Sequence, residues 1–407
     1  MGQGAGACRP AGRRRTGPRH PPDPRRQAGP RAARLSGTSD ILVIGGGVAG
    51  LSAAAALAPH AAVTLLEAEP AIGFHASGRS ATMLHFALGD SVVRSLTLAS
   101  RGFFEAPPDG FSEVPLSRRV PVLVHAREDE VAALDDLEAA IAPFASLDRL
   151  DSQAIAELCP LLRTGPGGAV AAIADRTAIR LDSDALLQGF ARAVRRAGGE
   201  IITGARIAAI GRDGGGWEVA TASGERFAAP LLVNAAGAWA DAIAALAGVR
   251  PVGLTPLKRT IITFDAPEGT ELEALPFAKT VGDELYFAPE SGRLFASPMD
   301  EVPSEPCDAL PDEYEVALAA FRVEERTTMR VTRIHHRWSG LRTFAPDRHP
   351  VVGFAPDAQG FFWLAGQGGF GLQTAPVLAR AVQSLIAGTQ WPIADVEPSA
   401  LSPARFA

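Results

Sequence analysis

"ILVIGGGVAG", residues 41–50, is the stretch that decides how this chain begins to fold. Ile41–Ile44 is a short aliphatic run and predicts a buried parallel strand. Gly45, Gly47 and Gly50 then give the spacing Gly-x-Gly-x-x-Gly. This spacing occurs by chance often enough that the surrounding residues must decide what it means.

The flanking residues supply the context that the motif needs. The alanine-rich stretch Val48–Ala58 is typical of a helix, and Pro59 ends it. Ala62–Leu66 predicts a second buried strand, which ends in Glu67. A strand, a glycine turn, a helix, a strand and an acid within about 30 residues form a dinucleotide-binding unit. We therefore expect a bound dinucleotide rather than a glycine-rich turn of some other α/β protein.

Each position of this unit has a physical task. Gly45 allows the tight turn, Gly47 lets the backbone approach a pyrophosphate, and Gly50 lets the helix pack closely on the strand. The N-terminus of the helix places positive partial charge at the phosphates. Glu67 is expected to accept hydrogen bonds from a ribose diol.

The size and composition are those of a globular protein. The chain has 407 residues, 47% of them hydrophobic and 21% charged, so two domains or one domain with an insertion are expected. No apolar run approaches the roughly 18 residues that a membrane span requires. Cys8, Cys159 and Cys307 are widely spaced and lack a metal-binding pattern. They predict free thiols in a reducing compartment, hence a cytoplasmic protein, and no metal site.

Charge is unevenly distributed. Residues 1–38 contain nine arginines and one acidic residue, a net charge of +8, and because the whole chain has −6 the remainder has −14. This excess of negative charge outside residues 1–38 argues against nucleic-acid binding by the folded part of the protein. Glycine, proline and arginine without apolar periodicity predict a disordered tail over residues 1–38. No apolar stretch follows the arginines, so the tail is not a secretory signal.

The rest of the chain indicates two interleaved domains. Leu231–Asn234 predicts a further buried strand, and Asp182–Ala197 predicts an amphipathic helix. Residues 251–335 form short alternating runs between prolines and glycines, which predict an antiparallel sheet inserted into the dinucleotide domain. The dinucleotide domain is assigned residues 39–110, 180–250 and 338–407, and the substrate domain is assigned residues 111–179 and 251–337.

Four sequence blocks extend the assignment beyond the glycine motif. They are "ILVIGGGVAGLSAAAALA" with "VTLLEAE", "GFHASGRSATMLH" at 73–85, "LLVNAAGAWAD" at 231–241, and "WSGLRTFAPDRHPVVG" with "GFFWLAGQGGFGLQTAP" from 338 onward. In this order they resemble the FAD-dependent D-amino-acid oxidase and dehydrogenase superfamily, which includes glycine oxidase and sarcosine oxidase. Within that superfamily the chain is most similar to the D-arginine dehydrogenase branch. The resemblance covers residues 40–385, nearly everything outside the tail.

The resemblance implies an α/β fold in which a Rossmann-like FAD-binding domain carries an inserted antiparallel-sheet substrate domain. It implies FAD rather than NAD, bound non-covalently, since no cysteine follows Cys307 in the region of the C-terminal flavin loop. Ser77–Ser80 and Gly366–Gly369 are further loops through which backbone can approach a long cofactor. The residues assigned to FAD are Gly45, Gly47, Gly50, Glu67, Ser77, Gly78, Arg79, Ser80, Ile207, Ala236, Gly237, Trp239, Gly368, Gly369, Phe370, Gly371, Leu372 and Gln373.

The resemblance also assigns catalytic residues around the substrate. Arg342, in "GLR", matches the carboxylate-binding arginine of the family, and its planar fork allows two-pronged recognition. Arg259 and Tyr286 match positions that reach the substrate from the inserted sheet. His85 is the one polar candidate in the segment after "GRS". The alternatives are surface salt bridges for the two arginines and packed core positions for Tyr286 and His85.

Two segments depart from the D-arginine branch. Thr82–Phe86, followed by Leu88, offers few polar groups to a substrate. The strand predicted at Val120–Val124 lacks a carboxylate that would face a guanidinium side chain. A cationic substrate is therefore disfavoured, and an apolar or small side chain fits better.

These assignments predict an enzyme that acts on a small molecule. The expected reaction is oxidation of a D-amino acid, or a similar 2-amino or imino acid, by hydride transfer to flavin N5. Water then hydrolyses the imino acid to a 2-oxo acid and ammonia. The resemblance favours a dehydrogenase over an oxidase, and the electron acceptor stays open among a quinone, a carrier and O2. Oxidation of a 2-hydroxy acid is the alternative, and a flavin-binding module without turnover is a third hypothesis.

Overall fold

The computed structural model describes residues 35–407. Of the tail predicted for residues 1–38, residues 1–34 therefore lie outside the described part of the chain. For its last residues the prediction is wrong, because Gly37–Thr38 form a short strand that pairs in parallel with Phe227 and Ala228. This strand carries no apolar periodicity. Backbone hydrogen bonds hold the segment, beginning with Ser36 N–H to the Arg226 carbonyl at 2.7 Å.

Helices and strands alternate along most of the described chain. The strands are β1 Gly37–Thr38, β2 Ile41–Ile44, β3 Val63–Leu66, β4 Met83–Leu84, β5 Ser117–Arg119, β6 Val122–Ala126, β7 Asp148–Asp151, β8 Ala171–Asp175, β9 Ile179–Leu181, β10 Glu200–Ile202, β11 Ile207–Asp213, β12 Gly216–Thr221, β13 Arg226–Ala229, β14 Leu231–Asn234, β15 Thr255–Phe264, β16 Phe277–Thr280, β17 Tyr286–Glu290, β18 Arg293–Ser297, β19 Val302–Pro303, β20 Ile334–Phe344, β21 Val351–Phe354 and β22 Phe361–Ala365. The helices are α1 Val48–Leu57, α2 Ser91–Glu105, α3 Val131–Ile141, α4 Ser152–Leu158, α5 Ser183–Arg196, α6 Ala240–Leu246, α7 Glu313–Arg326 and α8 Gly371–Ala387. Among the helices of residues 35–407, none has both the length and the apolar character needed to cross a bilayer.

The first sheet contains the predicted strand–turn–helix–strand unit. Its strand order is β10-β3-β2-β14-β22-β21, and the pairs are parallel except β21–β22. Ile41 and Val43 of β2 pack with helices α1, α5 and α8, whereas Leu42 and Ile44 pack with strands β11–β13 and helix α6. Burial on both faces explains why β2 is apolar at every position. The carboxyl ends of β2, β3 and β14 meet at one edge of this sheet.

The second sheet is built from both segments assigned to the substrate domain. Its strand order is β19-β15-β18-β17-β16-β6-β8-β7, and β20 also pairs with β15. The predicted antiparallel sheet is confirmed for most pairs, but β16 and β6 are parallel. The domain limit predicted at residue 338 falls inside β20, which pairs with β15 from Ile334 to Phe344. The strand that carries Arg342 therefore belongs to this sheet along its whole length.

One face of the second sheet packs on helices α4 and α7. The opposite face packs on helix α3 and borders a cavity that also reaches the first sheet. Directly paired residues point to the same side of a sheet, as do residues two positions apart in one strand. The pairing register therefore places Arg342, Arg259, Tyr286 and Lys279 together on the face that borders this cavity.

Candidate functional site

The first glycine turn is tightly packed on one side and open on the other. Gly45 has φ +109°, and a Cβ there would lie 2.4 Å from the Ala235 carbonyl oxygen at the end of β14. A Cβ on Gly50 would lie 1.9 Å from the Gly45 carbonyl oxygen. At Gly47 the nearest atom to a Cβ is Ser77 Oγ, at 3.3 Å, and Gly47 lines a large cavity. Backbone can therefore approach a ligand in this cavity.

Glu67 follows β3 and lines the same cavity. Its carboxylate accepts hydrogen bonds from the backbone N–H groups of Gly46 (2.5 Å) and Glu69 (2.7 Å). These bonds hold the carboxylate at the carboxyl edge of the parallel sheet, where ligands of open α/β sheets bind. Its contact with a ribose stays a prediction.

The loop Ser77–Ser80 joins the two sheets. Ser77 Oγ accepts a hydrogen bond from the Val48 N–H (2.9 Å) at the start of α1. The Arg79 guanidinium donates to Asp308 Oδ1 (2.6 Å) and to the Ser339 carbonyl (3.1 Å) in β20. The charge of Arg79 is thus engaged by Asp308, so the part left for a cofactor is its backbone and its aliphatic stem.

The third glycine loop, Gly366–Gly369, lies between the two sheets and opens helix α8. Gly368 has φ +52°, and a Cβ there would lie 2.1 Å from the Phe344 ring. A Cβ on Gly369 would lie 2.8 Å from Arg342 Nη1. Any larger residue at position 369 would therefore displace the guanidinium that the resemblance assigns to the substrate carboxylate.

The cavity brings most of the predicted FAD residues together. Those that line it are Gly45, Gly47, Glu67, Ser77, Arg79, Ser80, Ile207, Ala236, Gly237, Trp239, Gly368, Gly369, Gly371 and Leu372. Gly50 and Gly78 act behind this lining by allowing close backbone packing. Phe370 lines a second cavity instead. Gln373 is buried and its Nε2 donates to Thr97 Oγ1 (2.7 Å), which fastens α8 to α2, while its Oε1 has no hydrogen-bond partner among residues 35–407, so its assignment to FAD stays a prediction.

Arg342 lies where the two cavities meet. It lines both of them, together with Arg259 and Gly369. Within residues 35–407 no carboxylate oxygen lies within 4.0 Å of its guanidinium. Burial, followed by the charge of Arg259, lowers the pKa of Arg342 to about 10, so the side chain is still a cation at neutral pH. The surface salt bridge considered as the alternative is absent for this residue.

Arg259 is only partly committed to protein partners. Its Nε donates to the Asp300 carbonyl (2.8 Å), and its Nη2 lies 3.4 Å from Glu301 Oε1. Its Nη1 is buried without a hydrogen-bond partner among the described residues. Arg259 thus combines a structural ion pair with one donor that is free for a ligand.

Tyr286 and His85 lie just behind the cavity lining. Tyr286 is buried and stacks on Phe277, with ring centroids 5.1 Å apart. Tyr286 Oη and His85 Nδ1 are buried without a hydrogen-bond partner among residues 35–407. Buried polar atoms normally have a partner, so these two atoms point to a ligand or an ordered water.

We expect His85 to contribute no titration to the activity at ordinary pH. Burial, then the charges of Lys279 and Arg342, lowers the pKa of His85 to about 3. The ring is charged only below that value, and raising the pH from 5 to 9 leaves it neutral. His85→Asn should lower kcat/KM by up to about tenfold, the worth of one hydrogen bond. The apparent pKa values of its kcat/KM–pH profile should match those of the wild type, and a displaced acidic limb would contradict this assignment.

Lys279 and Cys307 are among the cavity-lining residues that sequence reasoning missed. Lys279 lines the second cavity beside Arg259 and Arg342. The sequence did contain a sign of this role, because Lys279 interrupts the apolar run "FAKT" and is one of only two lysines in an arginine-rich chain. Cys307 lines the first cavity, which nothing in its local sequence indicated.

The geometry fits a long dinucleotide whose reactive end lies beside an anion site. Three glycine loops border the cavity, and Arg259 and Arg342 share it. This combination defines an FAD-dependent oxidoreductase, in which the glycine loops and Glu67 would hold the cofactor. Residues 40–385 match the model of the DAO family, described as "FAD dependent oxidoreductase". The match covers most of the chain, and the protein therefore belongs to this family.

Individual relatives agree with the family assignment. FAD-dependent oxidoreductase domain-containing protein 1 of Bos taurus is 32% identical over 175 residues, which are 38% of this chain and 35% of that protein. The matched part thus spans about a third of that relative. Glycine oxidase from Geobacillus kaustophilus superposes with a TM-score of 0.78 at 22% identity, covering 90% of this chain and 99% of the other. L-alpha-glycerophosphate oxidase from Mycoplasma pneumoniae, with FAD bound, also gives 0.78 at 18% identity, covering 89% and 99%. These two likenesses show the shared fold.

We expect FAD to be bound non-covalently, although the structure places Cys307 and His75 in the cavity lining. Acid precipitation of the wild type should release the flavin into the supernatant. Cys307→Ser should keep the wild-type ratio of flavin to protein. A yellow precipitate from the wild type that turns colourless in Cys307→Ser would contradict the prediction and identify the attachment point.

Proposed function

We propose that this protein oxidises a D-amino acid, or a closely similar 2-amino or imino acid with a non-cationic side chain, at its CH–NH group. The observation that carries the proposal is the Arg342 guanidinium, deep between the two cavities and without a carboxylate partner in the described chain. A buried charge without a partner is costly, and a substrate carboxylate would supply the missing anion.

Arg342 and Arg259 bind and orient the substrate in this mechanism. Two parallel N–H donors of Arg342 hold the substrate carboxylate in one plane, and the free Nη1 of Arg259 adds a second cation. With the carboxylate fixed, the Cα–H bond is directed toward the space enclosed by the glycine loops. Bound FAD would supply the two-electron acceptor for the hydride that leaves Cα.

The charge around the site determines the state of the substrate amine. Arg342, Arg259 and Lys279 are cations, and nearby positive charge favours the neutral form of an amine. When hydride leaves Cα, the amine lone pair forms the C=N bond, and the resulting iminium loses a proton to give the imino acid. His85 is neutral, so its Nδ1 can share a hydrogen bond with the amine without adding charge. Tyr286 Oη is assigned to the carboxylate.

An anaerobic screen tests the proposal. The holoenzyme is mixed with D-amino acids, L-amino acids and 2-hydroxy acids while the flavin absorbance is recorded. Bleaching by D-amino acids, with stoichiometric 2-oxo acid and ammonia, is the expected result. Bleaching by L-amino acids alone would refute the stereochemical assignment, and no bleaching by any amine would refute the proposal.

Oxidation of a 2-hydroxy acid is the second candidate. The same arginine pair would hold the carboxylate of either substrate, and one structurally similar protein is an L-alpha-glycerophosphate oxidase. Bleaching by lactate-like alcohols but not by alanine-like amines would favour this candidate. A flavin that no substrate reduces would favour a binding module without turnover.

The electron acceptor and the compartment complete the proposal. We assign reoxidation to a quinone or a carrier rather than to O2, following the resemblance to dehydrogenases. A substrate-reduced flavin that persists in air but is reoxidised by a soluble quinone would support this assignment. Cys159 and Cys307 are free thiols in the described chain, which supports a reducing, cytoplasmic location.

A further inference from the structure

Lys279 is a buried lysine on the sheet face that carries Arg259 and Arg342. It lies in β16 directly opposite Tyr286, and only 2% of its surface is exposed. The one other lysine of the sequence, Lys258, lies on the opposite face and pairs with Asp312. Lysine is almost never fully buried unless it is paired or used. The position of Lys279 therefore needs an explanation.

The protein satisfies the Lys279 ammonium only in part. Nζ donates to the Asp283 carboxylate and to the Ala87 carbonyl at 3.3 Å. Asp283 follows β16, and its side chain is 62% exposed, so it compensates the charge from the solvent side. An ammonium has three hydrogens, and the third has no acceptor among the described residues. This donor belongs to a side chain that lines the second cavity.

The second cavity has spare positive charge at its inner end. Three of its carboxylates have partners of their own: Asp90 with His349 (2.6 Å), Glu301 with Arg348 (2.9 Å) and Asp347 with Arg405 (2.7 Å). Among residues 35–407, Arg342 has no carboxylate partner and Arg259 keeps one free donor. Lys279 and Arg342 both line this cavity, so the two cations border one space. A ligand with a single carboxylate would satisfy only one of these positions.

We propose that the second cavity selects substrates with an acidic side chain, whose terminal carboxylate binds Lys279 while Arg342 holds the α-carboxylate. The cavity volume of about 620 Å³ is ample for a dicarboxylic amino acid. This inference rests on the proposed function for the group that is oxidised, whereas recognition of the second anion does not depend on it. The sequence favoured a substrate with an apolar or small side chain, whereas this inference assigns a substrate with an acidic side chain.

Diacid binding to the holoenzyme tests Lys279 directly. Glutarate and butyrate share a four-carbon stretch and differ in one carboxylate, and their Kd values follow from the perturbation of flavin absorbance. We expect glutarate to bind about 10- to 100-fold more tightly, the range for one charged hydrogen bond. Succinate and adipate, measured in parallel, show which spacing of the two anions fits best.

Two lysine variants separate this reading from a structural ion pair. In Lys279→Met the preference for diacids should fall to near unity, and Lys258→Met should keep the wild-type preference. Lys279→Gln is measured as well, in case the methionine variant is insoluble. Glutamine keeps a hydrogen-bond donor and carries no charge that burial would penalise. A wild type that binds butyrate as tightly as every diacid would overturn the proposal, as would a preference that survives both changes at position 279.

Turnover is read separately, so that the two proposals can fail independently. D-glutamate and D-glutamine, compared by kcat/KM, should show the same preference for the acid if both proposals hold. If diacids bind preferentially but no 2-amino or 2-hydroxy acid reduces the flavin, the role of Lys279 in anion binding is supported and the proposed function is refuted. If D-alanine is oxidised and diacids show no preference in binding, the proposed function is supported and the role of Lys279 is refuted.

Discussion

Arg342→Met should lower kcat/KM by roughly 30- to 1000-fold while the protein keeps its flavin. A charge-assisted two-pronged contact in a partly dry site is worth on the order of 2–4 kcal/mol, and about 1.4 kcal/mol corresponds to a factor of ten. The flavin should stay because the glycine loops and Glu67, rather than Arg342, line most of its cavity. Activity per bound flavin is therefore the quantity to measure, together with the melting temperature.

Two further variants make the Arg342 result interpretable. Arg342→Lys keeps the charge but loses the planar fork, so its activity should lie between those of the wild type and the methionine variant. Arg337→Met is the matched control, since Arg337 lies in the same strand and pairs with Glu313 at the surface. It should change activity per flavin by less than about twofold, as expected for an exposed ion pair. Near-normal activity per bound flavin in Arg342→Met would show that Arg342 does not bind the substrate carboxylate.

Gly50→Ala should weaken the binding of FAD. The new Cβ would lie 1.9 Å from the Gly45 carbonyl oxygen, which is backbone and cannot rotate away. Overpacking of this kind costs about 3 kcal/mol when the backbone must move. If that strain is expressed in the glycine turn, the Kd for FAD rises about 100-fold. Titration of deflavinated protein with FAD, followed by fluorescence quenching, measures the change.

Gly102→Ala is the matched control for the glycine prediction. Gly102 lies in α2, is exposed, and a Cβ there meets no atom within 4 Å. Replacing an unconstrained helical glycine by alanine stabilises a helix by roughly 0.5–1 kcal/mol. The control should bind FAD as the wild type does and melt slightly higher. Wild-type affinity for FAD in Gly50→Ala would show that the turn can relax.

The parts of the fold that follow from local rules were predictable. β2, the glycine turn, α1 and β3 were all placed from the sequence, because buried parallel strands and glycine spacing are local signals. β15 was harder. The sequence predicted only short runs between prolines and glycines over residues 251–335, whereas this strand runs unbroken from Thr255 to Phe264. It includes Pro256, and a proline argues against a central strand when the sequence is seen alone.

The parts of the site that depend on strand register could not be predicted. Lys279 reaches the second cavity only because β16 pairs with β17 so that Lys279 stands opposite Tyr286. A shift of one residue would turn it to the other face. For Gln373, its place beside a glycine loop suggested the cofactor, and the rotation of α8, which the sequence does not give, turns its Nε2 toward Thr97.

Strand β20 limits how this protein can be recombined with its relatives. It pairs with β15 along its length, and it is tied to the Ser77–Ser80 loop by Arg79 and by Trp338 Nε1, which donates to the Arg79 carbonyl at 3.2 Å. A chimaera joined at residue 338 would cut this ladder in its middle. A junction after Phe344 would keep the ladder intact, provided that the loop is transferred with it. An exchangeable module therefore includes the whole second sheet together with the Ser77–Ser80 loop, in which Arg79 lies 260 residues before its partner Ser339 in β20.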